Sequence, residues 1–403
     1  MPNIISNNPD VISTFSKIAD IIFNEGGFIH PDIRIIEENG NLIVESALDR
    51  SNNDIIFSVP SSCLPDTRDF SILLEGDDLV LGPSIVQVTD IHKVMCGLML
   101  DLFNLTKKIA YHKKIFPIPL LNNPYSYKLI ARKCPGICTK YKAQRKNLTD
   151  EQLLVKTFLG CRQLNIQLKE SSNSQVLLPF IDSLNHHPNS PGYDITYDTH
   201  KNSGNLTVRH SKALSGSDEC FVNYGYTDPM PRYFQFGYLD TQPNYLQSVS
   251  TVIHLPGLGK IIVQPFENNP RDTAIIFPNQ LQHKKYFLPN CIKRNGYLLV
   301  WRILIPVHSN PNTLRRILEV LIINLRNSKI KKKRLEQHIK FAEDQLIKTN
   351  KNYFKEMLAL ADSQNLADIP KPMIADLKKL AILQLTLLND YQKKSSKSPL
   401  VYL

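Results

Sequence analysis

"LLPFIDSLNHHPNS", residues 177–190, puts an Asp, an Asn and two His within six positions directly after an apolar run. The run reads as a buried strand and the polar residues as its mouth. A strand end anchors such groups in fixed directions while the turn offers backbone and side chains to a ligand. Taken alone, His186 and His187 are equally well explained as turn residues that hold nothing. Their meaning depends on what the rest of the chain can bring to them.

A second stretch, "SGSDECFVNYGYTDPMPRYFQFGYLD" at 215–240, has the same build. An acidic turn is followed by the alternating run Cys220, Phe221, Val222, Asn223, which sets Tyr224 at a strand end as Asn185 and His186 are set. With both stretches in view, the sequence resembles the SET-domain methyltransferases, in particular the branch of the Rubisco large-subunit lysine methyltransferase and the actin histidine methyltransferase. That branch carries P-x-x-D-x-x-N-H, then G-E/D-E-x-F-x-x-Y-G, then a Gly-aromatic pair. Here these are Pro179, Asp182, Asn185 and His186; Gly216 to Glu219 with Tyr224 and Gly225; and Gly237 with Tyr238. Two weaker matches flank them. "EENGNLIVESALDRSNNDIIFSVP" is similar to the branch's first segment, with its cofactor turn at Glu38, Asn39 and Gly40, and "GCRQLNIQL" supplies an Arg, Arg162.

The resemblance implies an S-adenosylmethionine-dependent protein methyltransferase that acts on lysine, less readily histidine, of another protein and needs no metal. Arg162 would pair with the cofactor carboxylate, a task suited to a planar, always-charged fork. Asp182, Asn185 and His186 would belong to the segment that reads the adenine edge and the methionine ammonium. Tyr238, beside Gly237, would cover the adenine face. Tyr224 would orient the acceptor nitrogen. Two departures stand out. The family's Gly-x-Gly turn is Asn39-Gly40-Asn41, and Pro229 replaces an Asn, removing a backbone donor. A SET-like binding module without turnover is the alternative that these departures favour.

Composition sets the frame. A chain of 403 residues that is 42% hydrophobic can bury a full core. The start, MPNIISNNPDVISTF, lacks a basic and then apolar leader pattern, and the apolar run "GYLLVWRILIPV" is interrupted by Arg302, so no signal peptide or membrane span is expected. Seven dispersed cysteines suit a reducing compartment, and the expected location is the cytoplasm, with export to another cell left open. Cys134 and Cys138 lack the second pair that a zinc site needs. Walker, GxSxG, HExxH and GxGxxG patterns are absent.

The formal charge of +11 is unevenly spread: −11 over residues 1–90, +10 over 91–150, −2 over 151–245 and +14 over 246–403. The basic regions read as solvated helix faces or as a field that steers a partner with an acidic surface. "RNSKIKKKRLEQ" at 326–337 has no interleaved aromatics to stack on bases, so a nucleic-acid partner is not expected. Lys107, Lys108, Lys113 and Lys114 form a short cationic span, which the resemblance would place in the substrate cleft.

The texture predicts an α+β protein, a small-stranded domain split by a helical insertion with a helical domain behind it, and the resemblance implies that these are a SET domain of small β-sheets and an all-α C-terminal substrate-binding domain. The expected boundaries are 1–90 for the first SET segment, 91–170 for the insertion, 171–245 for the second SET segment and 246–403 for the C-terminal domain. Thr149 with Gln152 reads as a capping box, and Asn310-Pro311 as a helix start. A monomer is expected.

Overall fold

The computed structural model describes residues 2–46, 54–169, 172–188, 190–198, 203–210, 218–225, 228–265, 275, 277–278, 281, 288–308, 310–325 and 330–398. Helices and short sheets both contribute throughout, an α+β fold. The chain divides into two compact units, Met1–Ile115 with Arg145–Tyr226, and Phe116–Gln144 with Thr227–Leu403.

The first unit is built on small sheets. Asn3–Ile5, Ile33–Glu38 and Asn41–Ser46 form one, and Phe28–Ile29, Ile55–Pro60, Ser203–Arg209 and Asp194–Asp198 form another. A helix over Pro9–Asn24, which the sequence reading did not place, covers them. It starts at Asn8, whose side chain caps Asp10, with Pro9 in the first turn, and it buries Val11, Phe15, Ile18, Ala19 and Ile22 on one face. Phe15 and Phe57 pack against Phe180 at 5.4 and 5.8 Å between ring centroids. That packing holds Phe180 at φ 60°, a conformation costing on the order of 1–3 kcal/mol for a bulky residue. The chain leaves Phe180 in a 3-10 turn, Ile181–Ser183, which presents Asp182.

The capping box forms as expected: Thr149 and Gln152 exchange side-chain and backbone hydrogen bonds at the head of the helix Asp150–Arg162. The expected helical insertion is not one body, however. Helices Asp90–Leu105, Lys108–Ile115 and Asp150–Arg162 belong to the first unit, whereas 116–144 belongs to the second. The physical reason is a set of polar ties within the second unit. Asn123 Nδ2 donates to the Asn365 carbonyl at 2.9 Å, and the Tyr353 hydroxyl donates to the Leu129 carbonyl at 3.1 Å.

The expectation of an all-α C-terminal domain also needs correction. Thr251–Leu255, Gly259–Gln264, Tyr297–Trp301 and Asn290–Arg294 form a four-stranded sheet, and Tyr245–Gln247 pairs with Leu304–Pro306. Runs such as Lys260–Val263 bury alternate residues, the period of a strand. Two of the sheet's pairings are short hairpins, but Gly259–Gln264 pairs in parallel with Tyr297–Trp301 across more than thirty residues, which local periodicity does not reveal. Helices Asn312–Leu325, Lys332–Ala361 and Lys371–Lys397 complete the unit, the first with Asn310 accepting from the Asn312 amide at 2.9 Å.

Candidate active site

The first unit brings the two polar stretches side by side. Asn185–His186 runs parallel to Phe221–Val222, with Asn185 opposite Phe221 and His186 opposite Val222. Behind them, Cys220 N donates to the Val44 carbonyl at 2.6 Å and Ser46 N to the Asp218 carbonyl at 3.0 Å, so the 41–46 strand anchors the second stretch. Gly216 and Ser217, part of the acidic turn, lie outside the described residues.

Tyr224 is fixed at both ends. Its backbone amide donates to His186 Nδ1 at 3.0 Å, and its hydroxyl donates to the Leu184 carbonyl at 2.5 Å. The two rings lie 5.3 Å apart. Because Nδ1 accepts, the neutral His186 ring carries its proton on Nε2. A hydroxyl whose proton is committed to a carbonyl acts toward any further group as an acceptor. Asn185 Nδ2 donates to Glu219 Oε1 at 2.7 Å and, more weakly, to the Leu42 carbonyl at 3.5 Å.

Glu38, Asn39 and Gly40 are the tip of a tight hairpin, in which Glu38 faces Asn41. Asn39 has φ 52° and Gly40 φ 85°, the two left-handed residues of a type I′ turn, for which Asn-Gly is the favoured pair. The departure from Gly-x-Gly therefore keeps a well-formed turn. Gly40 is also required by space, since a Cβ there would sit 2.4 Å from the Thr106 carbonyl. Glu37 completes the tip by accepting from the Gly40 amide and the Ser6 hydroxyl, both at 2.6 Å.

Arg162, last residue of its helix, meets Asp182 through Nη1 at 3.2 and 3.4 Å, and its guanidinium lies 5.7 Å from the centroid of the Phe158 ring. Burial works against the Arg162 charge most strongly, and Asp182 together with Tyr224 and Cys161 outweighs it. Asp182 is itself pushed up by burial, which outweighs the favourable charges of Arg162 and Lys108. Lys108, which opens the helix Lys108–Ile115, is pushed down to about 8 by burial and by Arg162, against Asp182 and Glu37. On the same helix His112 meets Thr157 Oγ1 at 3.2 Å and is pushed down to about 3 by burial and then Arg162.

The structure thus places Glu38, Asn39, Gly40, Arg162, Asp182, Asn185, His186 and Tyr224 in one unit. Gly237 and Tyr238 fall in the other. There Gly237 is the left-handed cap, φ 78°, of the helix Pro229–Phe236, and the Tyr238 hydroxyl accepts from Arg232 Nη1 at 2.8 Å. Burial pushes that hydroxyl up to about 12. Pro229 is the first residue of this helix, where the missing amide would have had no intrahelical partner anyway. Glu37, not singled out from the sequence, and Glu219, named there only within the acidic turn, brace these residues through hydrogen bonds. Glu37 stands next to the motif, and its role as a brace depends on Ser6, thirty-one positions away.

Among the described residues no group of three or more His, Cys, Asp or Glu is placed to hold a metal ion, and no helix is long and apolar enough to cross a membrane. No family model and no curated protein matches the chain. Solved structures do. The chain is similar to the SET domain of LSMT bound to lysine and AdoHcy, with 12% identity and a TM-score of 0.44 over 96% of this chain and 92% of that one. It is also similar to Rubisco LSMT bound to AdoMet, with 13% identity and a TM-score of 0.40 over 97% of this chain and 94% of that one. Likeness at this level assigns no residue its role.

Proposed function

We propose that the chain is an S-adenosylmethionine-dependent methyltransferase that modifies a side-chain nitrogen of a protein, lysine ahead of histidine. The observation that carries this reading is the convergence on Tyr224: two sequence stretches some forty residues apart meet so that His186 and Leu184 fix both its amide and its hydroxyl. A tyrosine tethered at both ends, with its hydroxyl proton already given to a carbonyl, presents an oxygen acceptor in a set direction. Such an acceptor suits an incoming ammonium or the polarised hydrogens of a methyl on sulfur.

The donor set fits the cofactor. Arg162 would hold a carboxylate by charge-assisted hydrogen bonds, since only one of its nitrogens is committed to Asp182 and at long distances. The exposed Glu38-Asn39 tip and the Asn185–His186 strand offer backbone groups to the rest of the molecule, and Glu219 orients the Asn185 amide. When bound, S-adenosylmethionine supplies an electrophilic methyl group on a sulfonium. The protein's part is to align the acceptor nitrogen and to stabilise charge as it shifts. The site proposed here is built from the first unit alone.

The test is turnover of labelled S-adenosylmethionine with a cell lysate, and mass spectrometry of the labelled protein. Tyr224→Phe is expected to cut turnover by about 10²- to 10⁴-fold while cofactor affinity, read by titration calorimetry, stays within a few-fold. Equal loss of both makes Tyr224 a structural residue. No heat and no thermal shift with millimolar cofactor favours the binding-module alternative. The acceptor is read from pH: a lysine must lose a proton and gains rate from about pH 7 to 9, whereas a histidine levels off above about 7.5. A plateau overturns the preference for lysine.

A further inference from the structure

The four-lysine span read from the sequence does not act as a unit. Lys107 is exposed and, at φ 52°, turns the chain between two helices. Lys113 reaches Asp77 at 3.5 Å, with both side chains more than half exposed. Lys108 is half-buried and faces inward.

Its position follows from helix geometry. The His112 ring packs edge-on against Phe158 at 5.5 Å, and its Nε2 meets Thr157, so the helices Lys108–Ile115 and Asp150–Arg162 touch along these faces. Lys108 lies four residues before His112 and Arg162 four residues after Phe158, each one turn further along the same face. The charges of Arg162, Asp182 and Glu37 all reach Lys108, so the two cations lie near one another. The nearby acids are occupied: Glu37 accepts from Ser6 and Gly40, and Asp182 from Arg162. Among the described residues no acceptor lies within hydrogen-bonding reach of Lys108 Nζ. A half-buried ammonium in that situation forgoes hydration and gains nothing in return unless an anion arrives.

We infer that Lys108 is a second cationic contact, beside Arg162, for the carboxylate of the bound ligand. This rests on the cofactor reading above. The pair acts as a two-pronged seat, Arg162 steadied by Asp182 and Lys108 completed only by the ligand. The span assigned from sequence to the substrate is thereby divided, with Lys108 serving the cofactor.

The experiment is titration calorimetry of the full chain with S-adenosylhomocysteine and with 5′-methylthioadenosine, which keeps the nucleoside and thioether but lacks the amino-acid carboxylate. Lys108→Gln is expected to weaken S-adenosylhomocysteine binding about 10- to 100-fold and leave 5′-methylthioadenosine unchanged, the size of one lost charge-assisted hydrogen bond. Lys108→Arg is expected to stay within a few-fold at pH 7. A second readout is pH. A free lysine held near 8 loses its charge between pH 7 and 9, so wild-type affinity for S-adenosylhomocysteine falls over that range, more steeply than for Lys108→Arg. The other charged groups facing it, Glu37, Arg162 and Asp182, and the ligand's own amino group are common to both proteins. Wild-type binding that Lys108→Gln leaves intact, or equal loss of both ligands, overturns the inference and spares the cofactor reading. A wild type that binds neither ligand sinks both. If Lys108→Gln fails to fold, the pH comparison between wild type and Lys108→Arg decides, and parallel profiles overturn the inference.

Discussion

Two cation–carboxylate clusters, one in each unit, differ in how completely they are closed. In the second unit Lys133 and Asp228 meet at 2.9 Å with both side chains fully buried. Asp228 also accepts from the amides of Met230 at 2.8 Å and Gln247 at 2.7 Å and from Gln384 Nε2 at 3.1 Å, while Lys133 donates to the Gln247 carbonyl and lies 5.1 Å from the centroid of the Phe354 ring. In the first unit Arg162 and Asp182 meet at 3.2 Å, both partly exposed, and among the described residues no acceptor closes on Lys108 beside them. A buried ion pair survives only when its hydrogen-bonding capacity is filled from within. The first cluster keeps capacity in reserve, as a site for an anion should. Saturation marks the structural cluster, and unspent donors are what the proposed anion site needs.

Breaking the saturated cluster has the largest expected effect. Lys133→Met leaves Asp228 buried without its counter-charge and is expected to cost about 3–5 kcal/mol; chemical denaturation measures this, and a loss below about 1 kcal/mol would erase the contrast.

Next comes His112, a buried ring (5% exposed) that meets Thr157 Oγ1. Its folded pKa lies below its unfolded value, so the unfolded chain binds more protons between these values. The stability it contributes is complete above about pH 6.5 and is lost as pH falls toward about 3, amounting to about 2–4 kcal/mol. His112→Gln should flatten the stability profile between pH 6.5 and 4 relative to wild type, and parallel profiles would show that the ring is solvated.

Arg162→Ala sharpens the comparison from the other side. It is expected to weaken S-adenosylhomocysteine binding by about 1.5–3 kcal/mol while the melting temperature of the free protein moves little. A melting-temperature fall as large as that of Lys133→Met would make Arg162–Asp182 a structural pair. At the small end, Lys113→Ala removes only an exposed contact to Asp77 and should change stability by less than about 0.5 kcal/mol. It should leave S-adenosylhomocysteine affinity unchanged, which separates it from Lys108.

Several local features of the proposed site could be read from the residues. The Thr149–Gln152 box and the Asn39-Gly40 turn are local devices whose partners lie within three residues, and both formed. The strand-end reading of Asn185, His186 and Tyr224 also rested on short-range pattern. Harder to read were contacts whose strength comes from distant residues. The 116–144 segment joined the second unit through bonds to Asp228, Asn365 and Tyr353, more than ninety positions away. Within 251–301, the parallel pairing of Gly259–Gln264 with Tyr297–Trp301 joins runs more than thirty positions apart, which no local pattern shows.

Lys108 shows the division most clearly. The sequence by itself determined that four lysines lie within eight residues and that helical turns would carry some of them, because helix propensity and spacing act over neighbouring residues. Only the tertiary structure decided that Lys113 faces Asp77 and solvent while Lys108 faces Arg162. Side-chain direction becomes chemistry only when a second element, here the helix Asp150–Arg162, packs against it and excludes water on one side. A charge count has no such side, and a folded surface does.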